Sequence, residues 1–239
     1  MAGMKIGMCR RWLMLVGGLV VLTLALAKPP ADRREVQRHG VVFEEWIRDT
    51  FFGGYQPPDY TQRWDIPASV NTNHGGIPVN PKAAKFGTPV DLGDALRQFD
   101  IQEPFLLIVG FWQQDGAVKR FVNVQAVRVE PEQWRRLWGS VTRADLERLD
   151  ALIKDPSRDV LAARREAQAM KRRPPFTEAV IQVNPKIDAK QRRLQCSIRF
   201  ADFFTHLAPE ADRGKTNAPR LLGVPLPAEV VSPPRTIGR

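Results

Sequence analysis

Cysteine is nearly absent from this chain of 239 residues, which carries only Cys9 and Cys196. Two thiols, one of them inside an apolar N-terminal stretch, build neither a disulfide framework nor a cysteine-based zinc site. Histidine is almost as scarce, and His39, His74 and His206 form no H-E-x-x-H or other metal-binding spacing. No G-x-S-x-G elbow and no phosphate-cradling glycine loop occurs, which sets aside the hydrolase and nucleotide-binding chemistries that need them. Negative charge is the minority sign: 26 Asp+Glu stand against 36 Lys+Arg, a formal net charge of +10. That surplus favours a polyanion or an anionic surface as partner, the plain alternative being a merely basic soluble protein.

What is present bounds the architecture. With 43% hydrophobic residues, the chain can bury one good-sized core, with room for a smaller second lobe. Residues 1–27 stand apart: Lys5, Arg10 and Arg11 precede an uninterrupted apolar run from Trp12 to Ala27 that ends Ala25-Leu26-Ala27 before Lys28-Pro29-Pro30. A charged n-region, an apolar h-region and an A-x-A end are the marks of a secretory signal peptide. The run is slightly short for a spanning helix, which needs about 20 apolar residues. A membrane anchor and a start codon placed too early, with the protein beginning nearer Met14 or Lys28, are the other readings.

Beyond Pro30, apolar positions at Val36, Val41, Val42, Trp46, Ile47 and Phe51 predict an amphipathic helix over 33–52, stopped by Gly53-Gly54. Strands are expected at 60–66 and 77–84, joined as an antiparallel hairpin across the turn-rich loop 68–76. A helix over 92–99 follows. The apolar run Phe105–Trp112 predicts a central strand covered on both faces, and 121–129 its neighbour. Helices are expected at 132–138, from the capping pair Thr142 and Asp145 through the stripe Leu146, Leu149, Leu152 and Ile153, and from a Ser157 cap to Met170. Strands at 176–183 and 194–200, joined by a loop over 184–193, precede a proline-rich tail from Pro209 expected to be irregular. The fold class is therefore α/β of the α+β kind, with a mixed central sheet flanked by helices. Its organisation is a leader at 1–27, a core at 33–130, a basic helical and short-strand C-terminal lobe at 131–208, and the tail at 209–239.

The stretch from Trp64 to Lys85 carries the chemistry. Breaking a phosphodiester needs a cation against the developing charge, a positioned water and usually a lysine. Magnesium takes hard oxygen ligands and uses only one or two carboxylates. Asp65, closing a strand, can supply the central carboxylate. Asn80 and Lys82 are two apart on the next strand and share a face; Asn80 can offer its amide oxygen, Pro81 its carbonyl, and Lys82 can hold or deprotonate the attacking water. Glu44 on the preceding helix can reach the same cluster.

These residues, over roughly 36–130, resemble the PD-(D/E)xK nuclease superfamily with its restriction-endonuclease-like fold. Gly40-Val41-Val42-Phe43-Glu44 is similar to the G-x-x-F-E element of that family's first helix, Asp65 to its aspartate, and Asn80-Pro81-Lys82 falls on its (D/E)-x-K. The chain departs from the pattern at Trp64, where proline is usual, at Asn80, where an acid is usual, and at Pro81, a ladder donor lost from a strand. The resemblance implies an αβββαβ-type core, Mg as cofactor with Mn as an alternative, and metal ligation by Asp65, Glu44 and Asn80. It also implies duplex DNA as substrate and a cytoplasmic site of action, against the export or anchoring that the leader suggests. A homodimer is one candidate assembly.

Each residue has a plainer reading: Asp65 as a turn residue before Pro67, Lys82 and Lys85 as a solvated strand edge, Glu44 and Glu45 as exposed helix residues. V-N-P-K also occurs twice, at Val79–Lys82 and Val183–Lys186, and Asn-Pro favours turns. Lys85, Arg97, Lys171, Arg172, Arg173, Lys186, Lys190, Arg192 and Arg193 are candidate phosphate contacts, with Gln191 and Gln195 near enough in sequence to read base edges. Asp94, Arg97 and Gln98 are candidate supports of the site. The reading is a metal-dependent DNA endonuclease; the alternative is a non-catalytic, exported or membrane-tethered basic module that binds nucleic acid or another anion.

Overall fold

The computed structural model describes residues 31–58, 63–227 and 229–231, with side chains described over 40–58, 63–227 and at 229. The leader at 1–27, the start of the strand expected at 60–66 and residues 232–239 lie outside the described residues. Among the described residues no helix is long and apolar enough to cross a membrane.

The fold is α+β. Helix α1 (Ala31–Phe51) buries Phe43 and Ile47, one turn apart on one face, and ends where Gly53 and Gly54 take positive φ. There the amides of Phe52 and Gly54 both donate to the carbonyl of Arg48, the backbone-closed stop that glycine permits. Strand β1 (Val79–Lys85) is followed by β2 (Val90–Asp94), α2 (Ala95–Phe99), β3 (Phe105–Asp115) and β4 (Val118–Val129). The main sheet has the order β1-β3-β4-β9, with β9 at Val230–Val231. β1 runs parallel to β3 and β4 antiparallel to it, so the sheet is mixed, and the apolar run is its interior strand.

Three helices follow: α3 (Pro131–Leu137), α4 (Arg143–Lys154) and α5 (Val160–Lys171). Trp134 and Leu137 of α3, and Leu146, Leu149 and Ile153 of α4, are buried. Thr142 and Asp145 form the expected capping box, each side chain accepting the other's backbone N–H. Thr142→Ala is expected to cost about 1 kcal/mol, read by urea denaturation, since the cap satisfies a donor the helix cannot. Strands β5 (Ile181–Asp188) and β6 (Gln191–Ile198) pair as a hairpin, and β6 also pairs with β2, giving a second sheet of order β2-β6-β5. Helix α6 (Phe200–His206) and the two-residue strands β7 (Arg220–Leu221) and β8 (Val224–Pro225) complete the chain.

Several expectations are corrected. The hairpin of 60–66 with 77–84 reduces to one antiparallel bridge, Ile66 to Val79. The intervening loop closes on itself, because the fully buried Asn71 amide donates to the carbonyls of His74 and Ile77 and accepts from His74 N. The helix expected over 92–99 begins only at Ala95: Gly93, at φ 93°, bulges β2, and the Asp94 carboxylate caps the helix by accepting from Arg97 N. β2 consequently leaves the main sheet for the second one, where an αβββαβ core would keep it. The strand expected from Phe176 starts at Ile181, because the amides of Phe176, Thr177 and Glu178 turn back on the carbonyls of Arg173 and Pro175. The loop expected over 184–193 is only Ala189-Lys190, held by Asp188 Oδ1 accepting from Lys190 N and Gln191 N. Asp159, not Ser157, caps α5, and Ser157 instead donates to Asp155.

The tail is anchored over part of its length. Leu221 and Leu226 are buried in one cluster with Phe43, Ile47, Val79, Ile108 and Phe121, on the α1 side of the main sheet. Asn123 Nδ2 donates to the carbonyls of Asp212 and Gly214. A second cluster lies on the opposite face of the sheet and runs from Trp64 through Leu107, Val109, Phe111 and Leu149 to Ala208. A division of the chain at residue 130 therefore passes through a continuous core.

Candidate active site

β1 is an edge strand, and the register of its pairing decides which side chains reach its open side. Asn80 sits opposite Leu107 and Lys82 opposite Val109, so both share the face of the larger apolar cluster, while Pro81 pairs with Ile108 and is buried on the other. Both V-N-P-K copies lie in strands, Val79–Lys82 in β1 and Val183–Lys186 in β5. A proline is tolerated in each because β1 and β5 are edge strands.

Along this edge opens a cleft of about 860 Å³. It is lined by Glu44, Glu45 and Arg48 of α1, by Trp64, Asp65, Asn80 and Lys82 at the sheet edge, and by Asp91, Asp94, Arg97, Arg193 and Gln195 from β2, α2 and β6. Asp65 and Lys82 form an ion pair, Oδ2 to Nζ 3.1 Å, with the lysine side chain 19% and the aspartate 37% exposed. Its neighbour Trp64 is pinned: the indole N–H donates to Glu103 Oε1 at 2.8 Å, and the ring packs on Phe105 at 5.1 Å between centroids. Asp65 is thus held at a fixed place by a buried neighbour and an antiparallel bridge on either side of it.

Glu44 is placed in the same way. Phe43 is fully buried against Phe121, with centroids 4.9 Å apart, so the next residue on the helix must point along the sheet edge. Burial first and then the Asp65 charge, against the opposing pull of Lys82 and Arg48, raise the Glu44 carboxyl from 4.5 to about 7. A buried carboxyl with a second acidic side chain beside it is an environment that a bound divalent cation would relieve. Asn80 is 2% exposed and lines the cleft. Among the described residues no group of three or more His, Cys, Asp and Glu is placed to hold a metal ion. Glu44, Asp65 and Asn80 line the cleft with hard-oxygen side chains of the kind magnesium takes.

The expected supports divide. Arg97 and Asp94 line the cleft, but the Asp94 carboxylate is committed to the α2 cap. Gln98 is buried at the rim, and its carbonyl accepts the Trp134 indole N–H. Of the basic candidates, Arg97 and Arg193 face the cleft, and Lys85 lies exposed at the far end of β1. Lys186 is paired with Arg193, and Asn184 with Gln195, across the β5–β6 hairpin. These residues occupy the polar face of the second sheet, continuous with the cleft wall. Lys171 reaches that face, its ammonium 3.5 Å from Asn184 Oδ1; burial, then Lys186 and Arg172, lowers its pKa. Lys190 is exposed in the hairpin turn, and Arg172 and Arg173 are exposed after α5. Arg192 is a correction: it points to the opposite side, where its guanidinium donates to the carbonyls of Asp155 and Arg158 and so ties β6 to the end of α4.

Arg48, Arg63 and Asp91 also line the cleft and escaped the sequence reading. Arg48 follows Glu44 by four residues on a helix, a spacing that puts both on one face and could have found it.

No known protein family, curated protein or solved structure matches this chain.

Proposed function

We propose that the chain is a metal-dependent endonuclease that hydrolyses phosphodiester bonds in duplex DNA. The reading is carried by the convergence of Glu44, Asp65, Asn80 and Lys82 on one cleft at an open sheet edge, from three separate segments of the chain. Residues that served only as solvated edge or helix surface would have no reason to meet. Glu44, Asp65, Asn80 and the Pro81 carbonyl would hold Mg, with Mn as substitute. The bound cation would supply neutralisation of the charge that develops on the phosphate.

Lys82, kept at the floor by Asp65, holds the attacking water by hydrogen bonding. The water oxygen bonds to phosphorus as one P–O ester bond breaks; the water loses a proton to solvent, and the departing sugar oxygen takes one up. Arg97 and Arg193 in the cleft lining, with Lys186 and Lys171 farther along the polar face of the second sheet, suit the spaced phosphates of a polynucleotide backbone.

Purified full-length protein is expected to nick supercoiled plasmid with Mg or Mn and to stop on chelation. Lys82→Ala is expected to lower the single-turnover rate about a hundredfold, as loss of a water-positioning group does. Duplex binding without hydrolysis under either metal would sink the enzyme reading and leave a basic binding module that uses the same face.

A further inference from the structure

Arg48 is out of place for a structural residue. It is 8% exposed, it lines the cleft one helical turn after Glu44, and its Nε has no hydrogen-bond partner. It makes no ion pair among the described residues, although eleven others are formed elsewhere in the chain. A guanidinium N–H removed from water and left without a hydrogen-bond partner is costly. Such a cost persists where a ligand completes the site. Arginine is the residue suited to this task, because its planar fork of donors matches two oxygens of one phosphate.

Resting on the nuclease reading, we infer that Arg48 is a catalytic residue that grips the two non-bridging oxygens of the phosphate under attack. Nε is buried without a partner while the two Nη nitrogens are not, so the Nη groups of this cleft-lining residue are the donors left for that grip. Arg97 and Arg193 line the same cleft from other elements and would take neighbouring phosphates, while Arg48 shares its helix with Glu44 and would take the scissile one. The role is anion recognition, and it stands apart from whether hydrolysis follows.

The test uses the full-length chain with Arg48→Met and Arg48→Lys. The probe is thymidine 3′,5′-bisphosphate, titrated calorimetrically with magnesium present, beside single-turnover plasmid cleavage and thermal unfolding. Arg48→Met is expected to weaken bisphosphate binding at least about tenfold and cleavage by about a hundredfold or more, with Arg48→Lys in between. The unfolding midpoint of Arg48→Met is expected to hold or rise, because an apolar chain of similar volume replaces an unpaired buried charge. A fall in the midpoint with binding intact in Arg48→Lys would mark a structural arginine and overturn the inference. So would equal bisphosphate affinity in all three proteins, or no binding to the unaltered one. Arg48-dependent binding without any plasmid cleavage would retain the anion site and sink the nuclease. Cleavage with unchanged rates in both variants would do the reverse.

Discussion

Glu44→Gln is expected to stabilise the metal-free protein at pH 8 by about 3 kcal/mol while lowering cleavage by at least about a thousandfold. The two effects have one cause. The Glu44 carboxyl is held at about 7 in the folded protein against 4.5 when solvated, chiefly by burial and then by the Asp65 charge. A folded state that binds the proton more tightly than the unfolded chain gains stability from the neutral form. That gain is complete below about pH 4.5 and is lost as pH rises through about 7. At about 1.4 kcal/mol per unit, the loss across the window is the quoted figure. Glutamine has the shape of glutamate and cannot ionise, so the variant should match the unaltered protein near pH 4 and exceed it at pH 8. Urea denaturation at the two pH values reads the difference. Magnesium should close the gap from the other side by stabilising only the chain that can bind it. Equal losses of stability between pH 4 and pH 8 in both proteins would show that Glu44 ionises freely, and the carboxylate pair would then give no reason to expect a cation.

That tension explains why the site was only partly legible in the sequence. Asp65, Asn80, Lys82 and Glu44 could be singled out because their chemistry is local: a strand parity, a helix position and a residue type. What the pattern did not carry was the pairing partner of each strand. The run Phe105–Trp112 announces an interior strand by its composition, and Thr142 with Asp145 a helix start by its capping chemistry; both depend on neighbours in sequence. Leu92–Asp94, by contrast, reads as the start of a helix until β6, about a hundred residues later, pairs with it as part of β2. Gly93 then supplies the positive φ of the bulge, and Asp94 becomes a cap. The loop expected over 184–193 failed for the related reason that Asn-Pro was read by its turn preference, whereas pairing with β6 holds it extended in β5. Arg192 and Arg193 are adjacent in sequence, yet one faces the cleft and the other ties down α4, and period-two alternation on a strand was the only signal that separated them.

Helix α1, which carries Glu44, is also held by a residue without a side chain. Gly110 lies in the middle of β3, with β1 on one side and β4 on the other. A Cβ there would stand 2.7 Å from both Cε2 and Cζ of Phe43, and 2.9 Å from Cε1 of Phe121. Neither ring can give way easily. Phe43 and Phe121 stack on each other at 4.9 Å, both are at most 1% exposed, and Phe43 stacks in turn on Trp46 at 6.4 Å. An interior strand paired on both edges cannot shift without breaking two ladders. Gly110→Ala is therefore expected to destabilise the protein by about 3 kcal/mol, the upper part of the usual range for overpacking. It should also slow cleavage, because Phe43 is the anchor that sets where Glu44 projects. Phe43→Leu alone should cost about 1 kcal/mol or somewhat more through the space it leaves. Combined with Gly110→Ala, it frees the volume that the new methyl group needs, so the double variant should be more stable than Gly110→Ala alone. A double-mutant cycle in urea is expected to give a favourable coupling of about 1–2 kcal/mol. Strict additivity would mean that the methyl group is accommodated by a backbone shift, and the placement of Glu44 would then owe nothing to the contact between Phe43 and Gly110.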